Sequence, residues 1–143
     1  MSLTLNQIVK QITNYANQHA QINSVVFGEF YNKLSNGDIV YPAMFFNVDQ
    51  SRILEKQTQF SFEIYLMDRK LQESDGLEVL SDMTLIAQDI VAFMRNNSNP
   101  YEVSTNIPME YFVESDPDYL AGLRLLIDVT ISNINNRCEI PTV

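Results

Sequence analysis

Phe60-Ser61-Phe62-Glu63-Ile64-Tyr65-Leu66-Met67 is the stretch on which the fold turns. Phe60, Phe62, Ile64 and Leu66 fall on one side of an extended chain, and Ser61, Glu63 and Tyr65 fall on the other, because strand side chains alternate with period two. One side is therefore buried and the other meets solvent or a partner, as in an antiparallel sheet packed on a single face. The strand is read from about Leu54 to Met67.

The alternation returns near the C-terminus. Leu123, Leu125, Ile127, Val129 and Ile131 alternate with Arg124, Asp128, Thr130 and Ser132, predicting a strand over Leu120–Ser132. A further strand is read near Glu102–Glu114, joined to it by the acidic turn Ser115-Asp116-Pro117-Asp118. On the N-terminal side, Val25-Val26-Phe27-Gly28-Glu29-Phe30-Tyr31 is β-branched and aromatic and ends at Ser35-Asn36-Gly37-Asp38. Asn-Gly takes the positive φ values of a type I′ turn, so a hairpin is expected there. The return strand, Ile39 to Asn47 or Val48, carries Met44, Phe46 and Val48 on one side. Pro42 within it has no N–H for the ladder, which suits an edge or a bulge.

Helical spacing frames these strands. Leu5, Ile8, Val9, Ile12, Tyr15 and Ala16 line one face of a helix from Thr4 to about Gln18, with Thr4 and Gln7 placed as a capping box. Ser74 and Asp75 read as the start of a second helix, which runs to about Arg95 and ends in Asn96-Asn97-Ser98-Asn99-Pro100. Val79, Leu80, Met83, Ile86, Ala87, Ile90 and Met94 form its core stripe. Glu78, Asp82 and Asp89 lie opposite, with Leu85 among them. The order α-β-β-β-α-β-β gives an α+β fold: an antiparallel sheet of about five strands with two helices on one face. Residues 1–134 form one domain and 135–143 a C-terminal extension.

The chain has 143 residues and a formal charge of −9, with eighteen acidic side chains against nine basic ones. No stretch concentrates Lys or Arg as a grip on phosphates requires, so sequence-independent binding of nucleic acid is not expected. The single cysteine, Cys138, rules out an internal disulfide and suits a reducing compartment. No apolar run approaches the roughly 20 residues of a membrane-spanning helix, and Met1-Ser2-Leu3-Thr4 does not open a signal peptide. A soluble, acidic protein made in the cytoplasm is expected.

Little in the chain supports catalysis. His19, the sole histidine, reads as a helix C-terminal residue near the negative end of the dipole. Pairing it with Cys138 as a thiol nucleophile would require an orienting third group that no pattern supplies. One His and one Cys cannot make the usual zinc sets, and Asp116-Pro117-Asp118 lacks the spacing of a calcium loop. No glycine pattern cradles a phosphate. Neither enzyme activity, cofactor nor metal is therefore expected. The acidic stripe reads first as a solvated face, and Leu85 as one of the scattered apolar residues that surfaces carry. Taken with a mixed outer sheet face and an unusual tail, Leu85 points to a protein–protein surface.

That tail, Ser132-Asn133-Ile134-Asn135-Asn136-Arg137-Cys138-Glu139-Ile140-Pro141-Thr142, stops alternating after the last strand. Such segments fray or dock. Docking on a neighbour is the expectation, with Ile140 as anchor, Pro141 holding the chain extended, Arg137 as a polar clamp and Cys138 as a small packer. The alternative is a tail that folds back over its own sheet edge.

Several landmarks together resemble the neck and tail-completion proteins of tailed bacteriophages of Bacteroides-type hosts, crAss-like phages included. They are Tyr41-Pro42, Ile64-Tyr65-Leu66-Met67-Asp68-Arg69, Glu78-Val79-Leu80-Ser81-Asp82-Met83, Asp118-Tyr119-Leu120-Ala121-Gly122 and Arg137-Cys138-Glu139-Ile140-Pro141. The resemblance covers nearly the whole chain in element order, and none of its landmarks is catalytic. It implies a structural virion protein of the tail-terminator, head-tail connector or collar-ring type. Such a protein forms a closed ring of about six or twelve copies between portal and tail. It also implies that DNA passes without specific binding. Glu78, Asp82 and Asp89, or Asp116 and Asp118, are the acidic residues expected to face that channel. The rival expectation is a small cytosolic module that binds a protein or ligand on its outer sheet face.

Overall fold

Thr4 opens the first helix through a complete capping box. The Gln7 N–H donates to Thr4 Oγ1 at 3.2 Å, and the Thr4 N–H donates to Gln7 Oε1 at 2.8 Å. Helix α1 (Leu5–Gln18) therefore starts with two otherwise orphaned donors satisfied. The computed structural model describes residues 3–28, 39–69, 76–96, 99–113 and 120–132. Within them α1 is followed by β1 (Ser24–Phe27), β2 (Ala43–Ile53), β3 (Gln57–Arg69) and α2 (Gly76–Met94). Then come β4 (Glu102–Val103), β5 (Met109–Val113) and β6 (Leu120–Ser132). Ser74 and Asp75, read as the start of the second helix, lie outside the described residues.

Among the described residues the sheet has six strands in the order β1-β2-β3-β6-β4, with β5 on β6 as well. Strands β2, β3 and β6 form its antiparallel centre, and the expected α+β class holds. The first pairing corrects the expectation of an all-antiparallel sheet. Ser24–Phe27 runs parallel to Ala43–Phe46. A two-residue turn joins only antiparallel neighbours, so no hairpin links β1 to β2. Gly28, at φ +103°, turns the chain at the end of β1, and its N–H still donates to the Phe46 carbonyl at 3.0 Å. Asn36 and Gly37 lie outside the described residues. Pro42 precedes β2 rather than sitting in it, and its carbonyl accepts from the Asn23 N–H at 2.8 Å.

Two other boundaries move. Strand β2 continues through the polar run Asp49-Gln50-Ser51-Arg52, with a register shift between Val48 and Gln50, and turns at Leu54-Glu55-Lys56. The Leu54 N–H donates to the Gln57 carbonyl at 2.7 Å, so β3 begins at Gln57. The strand expected near Glu102–Glu114 is two pieces on one edge of β6. Between them, Arg95 at the end of α2 donates to the carbonyls of Ser104 and Thr105 at 2.9 and 3.0 Å. Carbonyls bonded to a guanidinium are diverted from a ladder, and Pro108 has no N–H to give one.

Both helices pack on one sheet face. Ile8, Ile12 and Ala16 of α1 join Met83, Ile86, Ile90 and Met94 of α2 over Phe62, Ile64, Leu66, Leu123, Leu125 and Ile127 in a single core. Each large apolar side chain buried there contributes about 1.5–3 kcal/mol. The opposite face carries a smaller cluster of Ala43, Phe45, Met67 and Leu120, then a polar stretch. There Arg124 bonds the Glu63 carboxylate and reaches Glu110 at 3.4 Å, and the Ser61 hydroxyl donates to Asp128 at 2.6 Å. The Glu63 carboxylate holds the Arg124 guanidinium above its usual pKa. Gly122 lets β6 close on β3, since a Cβ there would stand 2.0 Å from the Leu66 carbonyl oxygen.

Candidate functional site

A helix turns by 100° per residue, so α2 has one face on the sheet and two flanks beside it. The flank toward α1 is closed. Tyr15 stacks on Phe93 with ring centroids 5.7 Å apart, and its hydroxyl donates to Asn99 Oδ1. His19, the C-cap of α1, stands 2.8 Å from Asp89 through Nε2, while its Nδ1 accepts the Gln21 N–H at 3.1 Å. A neutral His19 ring therefore carries its proton on Nε2, pointed at Asp89. Nε2 ties α1 to α2, and Nδ1 ties the ring to the chain just beyond α1.

The flank toward β5 is open. Leu77, Leu80, Ser81, Thr84 and Leu85 form one wall of a shallow groove of about 500 Å³, and Tyr111 forms the other. The seam continues along α2 into a second groove of about 590 Å³, where Ala87, Val91 and Arg95 face Ile107 and Met109. Across the first groove the Thr84 and Tyr111 hydroxyls meet at 3.0 Å. Thr84 spends its proton on the Leu80 carbonyl at 2.7 Å, so Tyr111 is the donor in that pair. The walls remain accessible: Leu77 is 80% exposed, Leu85 57% and Tyr111 52%, and Val113, two residues beyond Tyr111 in β5, is 51% exposed.

Of the expected interface residues, Leu85 stands on the lip of this groove. Glu78, Asp82 and Asp89 are all exposed on α2. Glu78 adjoins the groove wall at Leu77, whereas Asp89 belongs to the closed flank. Asp82 lines a separate cleft of about 320 Å³ with Asp68, Asn23 and Pro42. Burial raises the Asp68 carboxyl above its ordinary pKa, the Arg69 N–H pulls it back, and the charge of Asp82 adds to the rise. Asp116, Asp118, Arg137, Cys138, Ile140 and Pro141 lie outside the described residues.

Leu77, Tyr111 and Val113 are surface residues that the sequence reading did not single out. A signal for them exists. Leu77, Ser81 and Leu85 repeat at i, i+4 and i+8, a second stripe beside the acidic one. Met109, Tyr111 and Val113 repeat at i, i+2 and i+4 in β5, which predicts a shared face.

The groove is mostly apolar, and of its three hydroxyls those of Thr84 and Tyr111 are bonded to each other. It holds no nucleophile beside a base and no convergent set of polar groups to orient a small substrate. Among the described residues, no group of three or more His, Cys, Asp or Glu side chains is placed to hold a metal ion. Among the same residues, no helix is long and apolar enough to cross a membrane. No protein-family model and no curated protein matches the sequence.

Proposed function

We propose that this chain is a structural protein of a tailed-phage virion. It is a subunit of a neck ring between portal and tail, of the tail-terminator or head-tail connector type. The observation that supports this reading best is the open seam between α2 and β5. It sets Leu77, Leu85 and Tyr111 around one exposed apolar groove on an acidic protein. Contiguous apolar surface of this kind marks sites of association. The element order and the landmark segments, Arg137-Cys138-Glu139-Ile140-Pro141 among them, supply the resemblance to phage neck proteins.

A ring of about six or twelve copies closes by meeting two different patches around a circle. The formal charge of −9 repels a duplex and keeps it mobile in such a passage. Either Glu78, Asp82 and Asp89 or Asp116 and Asp118 form the acidic set assigned to the lumen, and Ile140 with Arg137 is assigned to anchor the tail on an adjoining subunit or ring.

Cryo-electron microscopy of the particle tests the assignment. The expected density is a closed ring of this chain at the neck, its subunits in mutual contact. Absence of the chain from virions, or its presence as isolated copies, overturns the proposal.

A further inference from the structure

Strand β5 is a sheet edge beside the open seam. Among the described residues it pairs with β6 alone. The Leu126 N–H donates to the Pro108 carbonyl at 3.2 Å, and the register runs on through Glu110↔Arg124 and Phe112↔Gly122. In an antiparallel ladder, alternate residues turn their backbone groups toward a given neighbour. Glu110 and Phe112 therefore face β6 with their N–H and C=O groups, and Met109, Tyr111 and Val113 hold theirs out at the free edge.

Sheet edges are normally blunted against further pairing. The β2 edge is: beyond Phe46, where its pairing with β1 stops, it carries Asp49, Gln50, Ser51 and Arg52 and a register shift after Val48. Met109–Val113 has an unbroken register and one charged side chain, Glu110. On its α2 side, Met109 lines the second groove and Tyr111 the first. The two grooves are thus spaced as residues i and i+2 of a strand, roughly 7 Å apart. An extended segment laid along β5 would drop alternate side chains into both. A helix in the same place would leave the edge groups of β5 unpaired, because its own backbone bonds are internal.

Charge defines the partner further. Glu110 points to the face away from α2 with its carboxylate 70% exposed, and Arg124, 3.4 Å away, also bonds Glu63. Glu78 is exposed on α2 beside Leu77. Arg95, the one basic residue lining either groove, is spent on the Ser104 and Thr105 carbonyls. Opposite charges directly across a ladder attract.

We propose that β5 accepts an extended segment of another protein as an added strand. Alternate apolar side chains of that segment seat in the α2–β5 grooves, and a lysine or arginine between them lies over Glu110. Main-chain bonds to Met109, Tyr111 and Val113 supply the affinity, and the grooves and Glu110 supply the specificity. The inference goes beyond the ring reading and stands without it, since it concerns which segment the seam takes and not where the protein sits.

Titration of the full-length chain with the capped peptide Thr-Val-Lys-Val-Lys-Val-Thr, followed by NMR, tests this. Saturable binding with a Kd below about 1 mM is expected, with the shifts centred on residues 109–113. Methylating the backbone nitrogens of the alternate set of peptide residues that faces β5 should abolish binding. Methylating the other set should leave the Kd within about twofold. Glutamate in place of both lysines should weaken binding by about threefold or more, and Glu110→Lys should reverse that preference. An unchanged melting curve confirms that Glu110→Lys folds, and the peptide series needs no variant. No binding at about 1 mM, equal sensitivity to both methylated sets, or tighter binding of the glutamate peptide to the unaltered chain overturns the proposal. Self-association through residues 109–113 that the peptide fails to displace gives the edge to a second copy and overturns it too. None of these results bears on the density sought at the neck, so failure here leaves the ring reading standing.

Discussion

The two flanks of α2 are built from the same helix and differ in almost every physical respect. Toward α1, an aromatic stack and the His19–Asp89 pair seal the helix to its neighbour. Toward β5, one hydroxyl pair between Thr84 and Tyr111 bridges a groove whose walls are leucines open to water. Burying Leu77 and Leu85 would have been favourable by the usual measure of apolar area. Leaving them exposed next to an edge strand is instead what an association surface requires. The closed flank serves the fold, and the open one is the surface to which the proposed association is assigned.

Core truncation gives the largest effect that separates the flanks. Ile90→Ala, under the middle of α2, should cost about 2–5 kcal/mol in chemical denaturation, because it leaves a cavity in packed surroundings. Leu77→Ala and Leu85→Ala should change stability by no more than about 0.5 kcal/mol. Equal losses at Ile90 and Leu85 would show that the open flank is part of the folding core.

The aromatic residues discriminate next. Tyr15→Ala removes the stack on Phe93 and the bond to Asn99 and should cost about 2 kcal/mol. Tyr111→Phe on the other flank loses only the bond to Thr84 and should cost about 0.5 kcal/mol. A larger cost at Tyr111 than at Tyr15 would reverse the assignment of the two flanks.

The smallest effect is a pH dependence at Asp68, which shares its cleft with Asp82. Burial places the carboxyl of the folded state above its ordinary value of 3.8, so the folded chain binds more protons than the unfolded one just above that pH. The contribution of Asp68 is therefore most favourable below pH 3.8 and is lost as pH rises through the raised value. Asp68→Asn keeps an acceptor for the Arg69 N–H and should raise the melting temperature at neutral pH, with little change near pH 3.8. A lower melting temperature at neutral pH would mean that the charge stabilises the fold.

Much of this architecture is local enough to read along the chain. The capping box at Thr4 and Gln7, the stripe from Val79 to Met94, and the alternation at Phe60–Leu66 and Leu123–Ile131 all arise from periodicities of a single element. They determine the α+β class and the packed face before any partner is known. Leu85 was legible as exposed because it falls among acids on the helix wheel. The tertiary structure decided the rest. Val25-Val26-Phe27 alternates no differently in a parallel pair than in a hairpin, so the direction of β1 rests on contacts with β2. The break between β4 and β5 depends on Arg95, which reaches across from α2 to take two strand carbonyls. Which flank of α2 stays open depends on where α1 and β5 come to lie. Periodicity states which residues share a face; only long-range packing states what, if anything, covers it.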